Sequence, residues 1–382
     1  MRNHPRRIVT NLDIRWILAW IGEDMRRFSV LRRHRVPRWH STLILLRVWP
    51  DRAGEDARWG GRFNLLMRSS VTLRFGATVL VGIAVVASSG CSLRSMAVNA
   101  IVPTLANPDV YRSEEDPELA REALPFLLKT IESILDAEPD QDQALVFACT
   151  GFTLYGNAFL QVDADVAEWE GDYDRSAALR DRTWRVYVRA RDYCLRSLEL
   201  RYAGIGAGLR DDPTAALADT NAEDVEVLYL LAAAWGLAIT NALDQPSLIA
   251  DLPAVRALFG RALELDEDFE RGSLHAALIV LESLPPELGG SPERARAHFE
   301  RAVELSDGLD AGPYVTFANG VSVPDENRAE FQELLTTALA IDPDEETSLR
   351  LLNLISQRRA RSLLDQVDDL FFDPLETEET LP

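Results

Sequence analysis

From Ser92 to Phe372, apolar positions recur every three and four residues, and no stretch sustains an alternation of two. That period belongs to helices packed on one face. The polar punctuation agrees. Asp116-Pro117, Ser291-Pro292 and Asp251, just ahead of Pro253, each set a capping side chain beside a proline, whose missing N–H costs nothing in a first turn. Asp344-Glu345-Glu346 places negative charge where a helix dipole favours it. Helices are expected over 93–106, 116–137, 141–162, 172–203, 223–243, 252–266, 271–284, 292–306, 311–321, 326–341 and 345–371, with the Gly- and Asp-rich 203–221 as the longest loop, able to hold a short turn of helix. The fold class is all-α.

Three of these segments share a register. Phe259-xx-Ala262-Leu263-x-Leu265, Phe299-xx-Ala302-Val303-x-Leu305 and Leu335-xx-Ala338-Leu339-x-Ile341 repeat a bulky residue, a small one three positions later, then aliphatic residues. A weaker fourth copy ends at Ile134-Leu135. This resembles the second helix of a tetratricopeptide repeat, where the small residue lets paired helices approach. A tetratricopeptide-like helix-pair solenoid is therefore expected. Its alanines fall 40 and 36 residues apart (262, 302, 338), so the loops between helices must vary around the usual ~34-residue period.

Charge divides the chain. Residues 1–66 carry 14 Arg against 6 Asp and Glu, whereas from Cys91 onward 24 basic residues face 55 acidic ones, within a total of −21. Such an acidic chain offers no basic face to nucleic acid, and none is expected as a partner. Between the two parts, residues 67–90 have the order of an export signal: a basic start at Met67, a thirteen-residue apolar run from Phe75 to Ala87, then Ser-Ser-Gly ahead of Cys91. Cys91 would take a lipid and become the first mature residue. Ser88 stands where an aliphatic residue is usual, which leaves ordinary cleavage near Ser89 as the alternative. On this reading 1–66 is a mis-assigned N-terminal extension outside the mature protein, 91–372 the helical repeat domain and 373–382 an acidic disordered tail.

Longer strings carry a family resemblance. ALPFLLKTIESILDAEPD (123–140), GFTLYGNAFLQ (151–161), RVYVRARDYCLRSLE (185–199), DLPAVRALFGRALELDE (251–267), SPERARAHFERAVELS (291–306) and LLNLISQRRARSLL (351–364) are similar to the T component of tetratricopeptide-associated TRAP transporters, and the similarity runs from Cys91 to about Phe372. Membership implies a lipid-anchored protein facing the periplasm of a Gram-negative bacterium. Its partner would be the extracytoplasmic solute-binding subunit of a tripartite, ATP-independent transporter, to which it would pass an apolar or organic-acid ligand. Self-association fits the same picture. Ser92 behind the lipidated cysteine favours the inner leaflet of the outer membrane. A general envelope scaffold without a transporter is the competing reading.

Chemistry has little foothold. His275 and His298 have no Cys, His or paired carboxylate at ligand spacing, and no phosphate-binding loop or dinucleotide fingerprint is present; neither an enzyme nor a metal or cofactor is expected. Cys149 and Cys194 lie in apolar helical stretches, either as buried thiols or as a disulfide between neighbouring helices. Phe152, Tyr155 and Phe159 follow one another at helical spacing beside Gly156, and Tyr229, Ala233, Trp235 and Gly236 lie on a helix apolar nearly all round. Such stripes build cores, but small residues beside aromatics also leave room, so these eight residues are the candidate lining of a ligand groove. Gly156→Leu and Ala233→Leu are then expected to fill the groove without unfolding the chain. Arg182, Arg185, Arg189 and Arg196 share one helix face. They either pair with carboxylates or anchor an anionic ligand or acidic partner.

Overall fold

The computed structural model describes residues 98–105 and 107–371, all within the second of the two units into which the chain divides, Phe75–Pro382. The signal segment, Cys91, the 1–66 extension and the acidic tail lie outside the described residues. Among the described residues every regular element is a helix. Ten carry the fold: α1 Pro117–Ala137, α2 Asp142–Trp169, α3 Tyr173–Arg201, α4 Val225–Thr240, α5 Leu252–Leu265, α6 Ser273–Glu282, α7 Pro292–Leu305, α8 Ala311–Phe317 with its continuation Ala318–Ser322, α9 Arg328–Ala340 and α10 Arg350–Asp365.

Local chemistry explains most of the boundaries. The Asp116 side chain accepts from the Glu118 and Leu119 N–H groups, and Ser291 accepts from that of Arg294, capping α1 and α7 ahead of their prolines. Glu346 caps a short 3-10 turn, Thr347–Leu349, that leads into α10. Asp251 is different: its backbone is already helical and its carboxylate instead takes the indole N–H of Trp235 and faces Arg210. Three extents also differ from expectation. α2 does not end at 162; a π turn over Gly156–Leu160 carries it on to Trp169. The loop at 203–221 contains two short helices, Ile205–Asp211 and Pro213–Ala216. The last helix breaks at Gln366 before a single turn, Val367–Leu370.

Each helix packs on the next, and the even-numbered helices also pack on one another in the order α2, α4, α6, α8, α10. α10 then reaches back to the start: Arg358 pairs with Glu118 of α1 at 2.6 Å, and Arg350 donates to the Ser113 carbonyl at 3.0 Å. The main core lies between α1 and α6, with smaller clusters around α6–α8 and α8–α10. α2 is long and apolar enough to cross a membrane by composition alone, but most of its apolar stretch is buried among neighbouring helices, as in a core helix.

The small positions of the repeat register are buried: Ala262, Ala302 and Ala338 are at most 1% exposed. Around Ala302 the approach is tight, because a Cβ added to Gly272 would lie 3.3 Å from the Ala302 Cα. Ala302→Phe should therefore cost about 1–3 kcal/mol through overpacking, whereas Glu300→Ala on the exposed face should be nearly neutral. Thermal melts compare the two, and equal melting temperatures would mean that the register is misplaced.

Cys149 of α2 and Cys194 of α3 form a disulfide, with Cα atoms 5.4 Å apart and both side chains fully buried. The plain-thiol reading is thereby corrected. Of the two readings the sequence left open, separation by 45 residues could not choose; the packing of α2 on α3 makes the pairing.

Candidate functional site: a cavity among the even-numbered helices

The five even-numbered helices, with Phe259 of α5, line an open cavity of about 230 Å³. Its apolar wall comes from α4 and α6, where Ala232, Ala233, Gly236, Ala276 and Ala277 keep the side chains short. α2 contributes Thr153 and Asn157, and α8 contributes Gly312 and Thr316. α10 adds Leu352, Ser356 and Arg359, spaced at four and three residues so that all three share one helix face. Asp310, the N-cap of α8, completes the wall. A second cavity of about 390 Å³ adjoins the first, lined by the 103–112 segment, α2 and α4. Ion pairs occupy much of its polar rim: Arg112 with Glu270, and Arg201 with Asp142 at 2.8 Å and Asp224 at 2.7 Å. Tyr229 lines both cavities, its ring centroid 5.5 Å from that of Phe269. Burial pushes its phenol above the ordinary tyrosine range, so it stays protonated.

The eight residues proposed for a groove divide. Tyr229, Ala233 and Gly236 line the cavity. Phe152, Phe159 and Trp235 are buried in packing, at 6%, 3% and 0% exposure, and Trp235 lies beneath the guanidinium groups of Arg191 and Arg210. Tyr155 packs on Phe159, one turn further along α2. Gly156 is a contact point between helices: a Cβ there would lie 2.6 Å from a carbon of the fully buried Tyr187 ring. Gly156→Leu therefore cannot fill empty space, contrary to the expectation from sequence.

The four arginines of the α3 face are exposed, and the protein itself engages each. Arg185 pairs with Asp181 at 3.0 Å and lies over Trp184. Arg189 pairs with Glu132 and covers Phe152. Arg196 donates to the Pro139 carbonyl at 2.7 Å and covers Tyr193. Arg182 reaches the Tyr155 hydroxyl at 3.3 Å and lies over that ring. Two of the four thus pair with carboxylates, and all four cover aromatic faces.

Two features escaped the sequence. Asp310 and Arg359 bring charge to the cavity, although nothing in their local sequence marks them. His275 and His298, 23 residues apart, meet at Nδ1···Nδ1 2.9 Å across α6 and α7. At that distance one ring must donate and the other accept, so the pair holds a single proton between the two nitrogens. Burial is the main reason both imidazoles sit below the ordinary histidine range; Glu267 opposes it for His275, and for His298 the neighbouring His275 adds to it. Charged neighbours are Glu267, Asp268 and Arg301 on one side and Glu282 and Arg294 on the other. Because the unfolded chain binds more protons than the folded one below the ordinary histidine pKa of about 6.5, stability should fall as pH drops through that value. The melting temperature of His298→Leu should vary less than that of the wild type between about pH 7.5 and about pH 5.5; parallel curves would contradict the pairing. Among the described residues no group of three or more His, Cys, Asp or Glu side chains is placed to hold a metal ion.

The helices that surround the cavity are also those a known family shares. The model of the TRAP transporter T-component family matches residues 113–371, from the turn before α1 to the end of the last helix. A protein of Treponema pallidum (strain Nichols), described as uncharacterized, is 28% identical over 305 residues, covering 75% of this chain and 94% of the relative. The match takes in all five helices that line the cavity, and the chain belongs to the TRAP transporter T-component family.

Proposed function

We propose that this T component is a lipid-anchored, periplasm-facing accessory subunit that docks the solute-binding subunit of its transporter and holds an organic ligand in the cavity among its even-numbered helices. The family match across residues 113–371 carries this reading. The cavity supports the ligand-holding part, since a concave site that combines an apolar wall with placed polar groups is the form small-molecule sites take. The tetratricopeptide-like reading of the scaffold is supported by the buried alanines at 262, 302 and 338 and by the alternation of helix contacts. Export is supported by the Cys149–Cys194 disulfide, because such bonds persist in oxidising compartments and are rare in the cytosol. Anchoring at Cys91 rests on the basic–apolar–small–Cys order of residues 67–91, and Ser92 favours the outer membrane.

Affinity purification of the tagged chain from its own cells tests the docking. Capture of a solute-binding subunit encoded beside TRAP membrane subunits is the expected result, and capture of envelope-assembly proteins in its place would favour a general scaffold. Fatty-acid labelling of wild type and Cys91→Ala tests the anchor in the same cells; equal incorporation would remove it from the account.

A further inference from the structure

The cavity among the even-numbered helices is lined by two opposite charges that do not pair with each other. Asp310 of the α8 cap accepts one hydrogen bond, from the Gly312 N–H to Oδ1 at 2.8 Å, and among the described residues no cation lies in ion-pair range of it. Capping does not require a carboxylate, since Asn or Ser serves as well. Burial accordingly pushes the Asp310 carboxyl above its usual range, opposed only by the Gly312 N–H. On α10, Arg359 is mostly buried, yet its guanidinium donates no hydrogen bond among the described residues. Among the described residues its one ion pair, to Asp165, is long at 3.7 Å, and Asp165 is already held by Arg180 at 3.1 Å. A guanidinium is a five-donor fork suited to a carboxylate.

Ser356 connects the two. A Cβ at Gly312 would lie 3.0 Å from Asp310 Oδ1 and 3.8 Å from Ser356 Oγ, so carboxyl and hydroxyl flank the same point. Arg359 follows Ser356 by three residues on the same face, a rise of about 4.5 Å. The apolar wall of Ala233, Ala276 and Ala277 lines the same cavity as this polar corner.

We infer that the cavity binds a small zwitterion of the amino-acid class, with its ammonium on Asp310, its carboxylate on Arg359 and an aliphatic side chain along the alanines of α4 and α6. A part-buried carboxyl without a counter-charge is costly, and a ligand ammonium removes that cost. The inference rests on the ligand-holding part of the proposed function and narrows it from organic acids in general to those that also carry an amine.

Isothermal titration calorimetry of the purified full chain with three compounds that share the isobutyl group tests it: leucine, 4-methylpentanoate, which lacks the amine, and 3-methylbutylamine, which lacks the carboxylate. Leucine is expected to bind tighter than either by about tenfold or more, the scale of a lost charge-assisted hydrogen bond. Asp310→Asn should weaken leucine by about tenfold and barely change 4-methylpentanoate, whereas Arg359→Gln should weaken both acids together. The wild-type series is decisive even if a variant fails to fold. Binding of 4-methylpentanoate equal to or tighter than leucine would overturn the zwitterion and leave an organic-acid cavity standing. Failure of all three to bind would overturn it too, while capture of the solute-binding subunit decides the docking part of the proposed function separately.

Discussion

Gly156→Leu is expected to lower the melting temperature by several degrees, while Ala233→Leu, on the same layer of even-numbered helices, leaves it close to wild type. The two positions look alike in sequence, each a small residue near aromatics on an apolar helix. In the structure Gly156 touches the Tyr187 ring, whose hydroxyl is fixed by a 2.9 Å bond to Gln161, so the ring cannot swing aside without breaking that bond. Overpacking of this kind costs about 1–3 kcal/mol, and the rigid partner places Gly156 at the upper end. Ala233 faces the cavity; a leucine there takes up ligand volume. Ligand binding and melting temperature measured on both variants should separate cleanly, Gly156→Leu losing stability and Ala233→Leu losing affinity. Equal stability losses would mean that the α4 face of the cavity is ordinary core.

A second large effect is expected from Glu282, the last residue of α6. Its carboxylate is 5% exposed and joins three helices, accepting from Arg256 of α5 at 2.6 Å and from Arg294 of α7 at 2.9 and 2.5 Å. Glu282→Ala leaves two guanidinium groups facing each other with no anion between them. The expected loss is about 3 kcal/mol, the low end for breaking a buried pair, because Arg294 remains more than half exposed and keeps water. Chemical denaturation of Glu282→Ala beside Glu300→Ala, which removes an exposed carboxylate, measures the difference. A loss below about 1 kcal/mol would show that the site is a surface ion pair in energetic terms.

The all-α class and most helix boundaries were legible because they depend on local features: the three-to-four apolar period, and capping side chains at Asp116 and Ser291. The extent of α2 was not, since the π turn at Gly156–Leu160 that carries it past 162 has no helix-breaking or helix-making signature. Contacts between distant segments were illegible for a different reason. Cys149 and Cys194, or His275 and His298, become partners only when helix faces meet, and the spacing of 45 or 23 residues says nothing about facing. The arginine face of α3 was visible as a stripe, but its engagement with Glu132, Pro139 and Tyr155 depends on how α1 and α2 pack beside it. At the cavity, the small residues of α4 were recognisable by composition, so Tyr229, Ala233 and Gly236 could be singled out. Asp310 and Arg359 could not. One is an ordinary N-cap, the other is one arginine among 39, and only the closure of α8 and α10 around the same space sets them apart.

The most direct measurement is the affinity of the purified chain for the purified solute-binding subunit encoded with its transporter, by sedimentation velocity across a concentration series. A saturable complex of fixed stoichiometry, which solute-binding proteins of unrelated transporters do not form, is the result predicted for a T component that docks its partner. Free sedimentation of both proteins at every concentration, with and without leucine, would contradict the docking on which the proposed function depends.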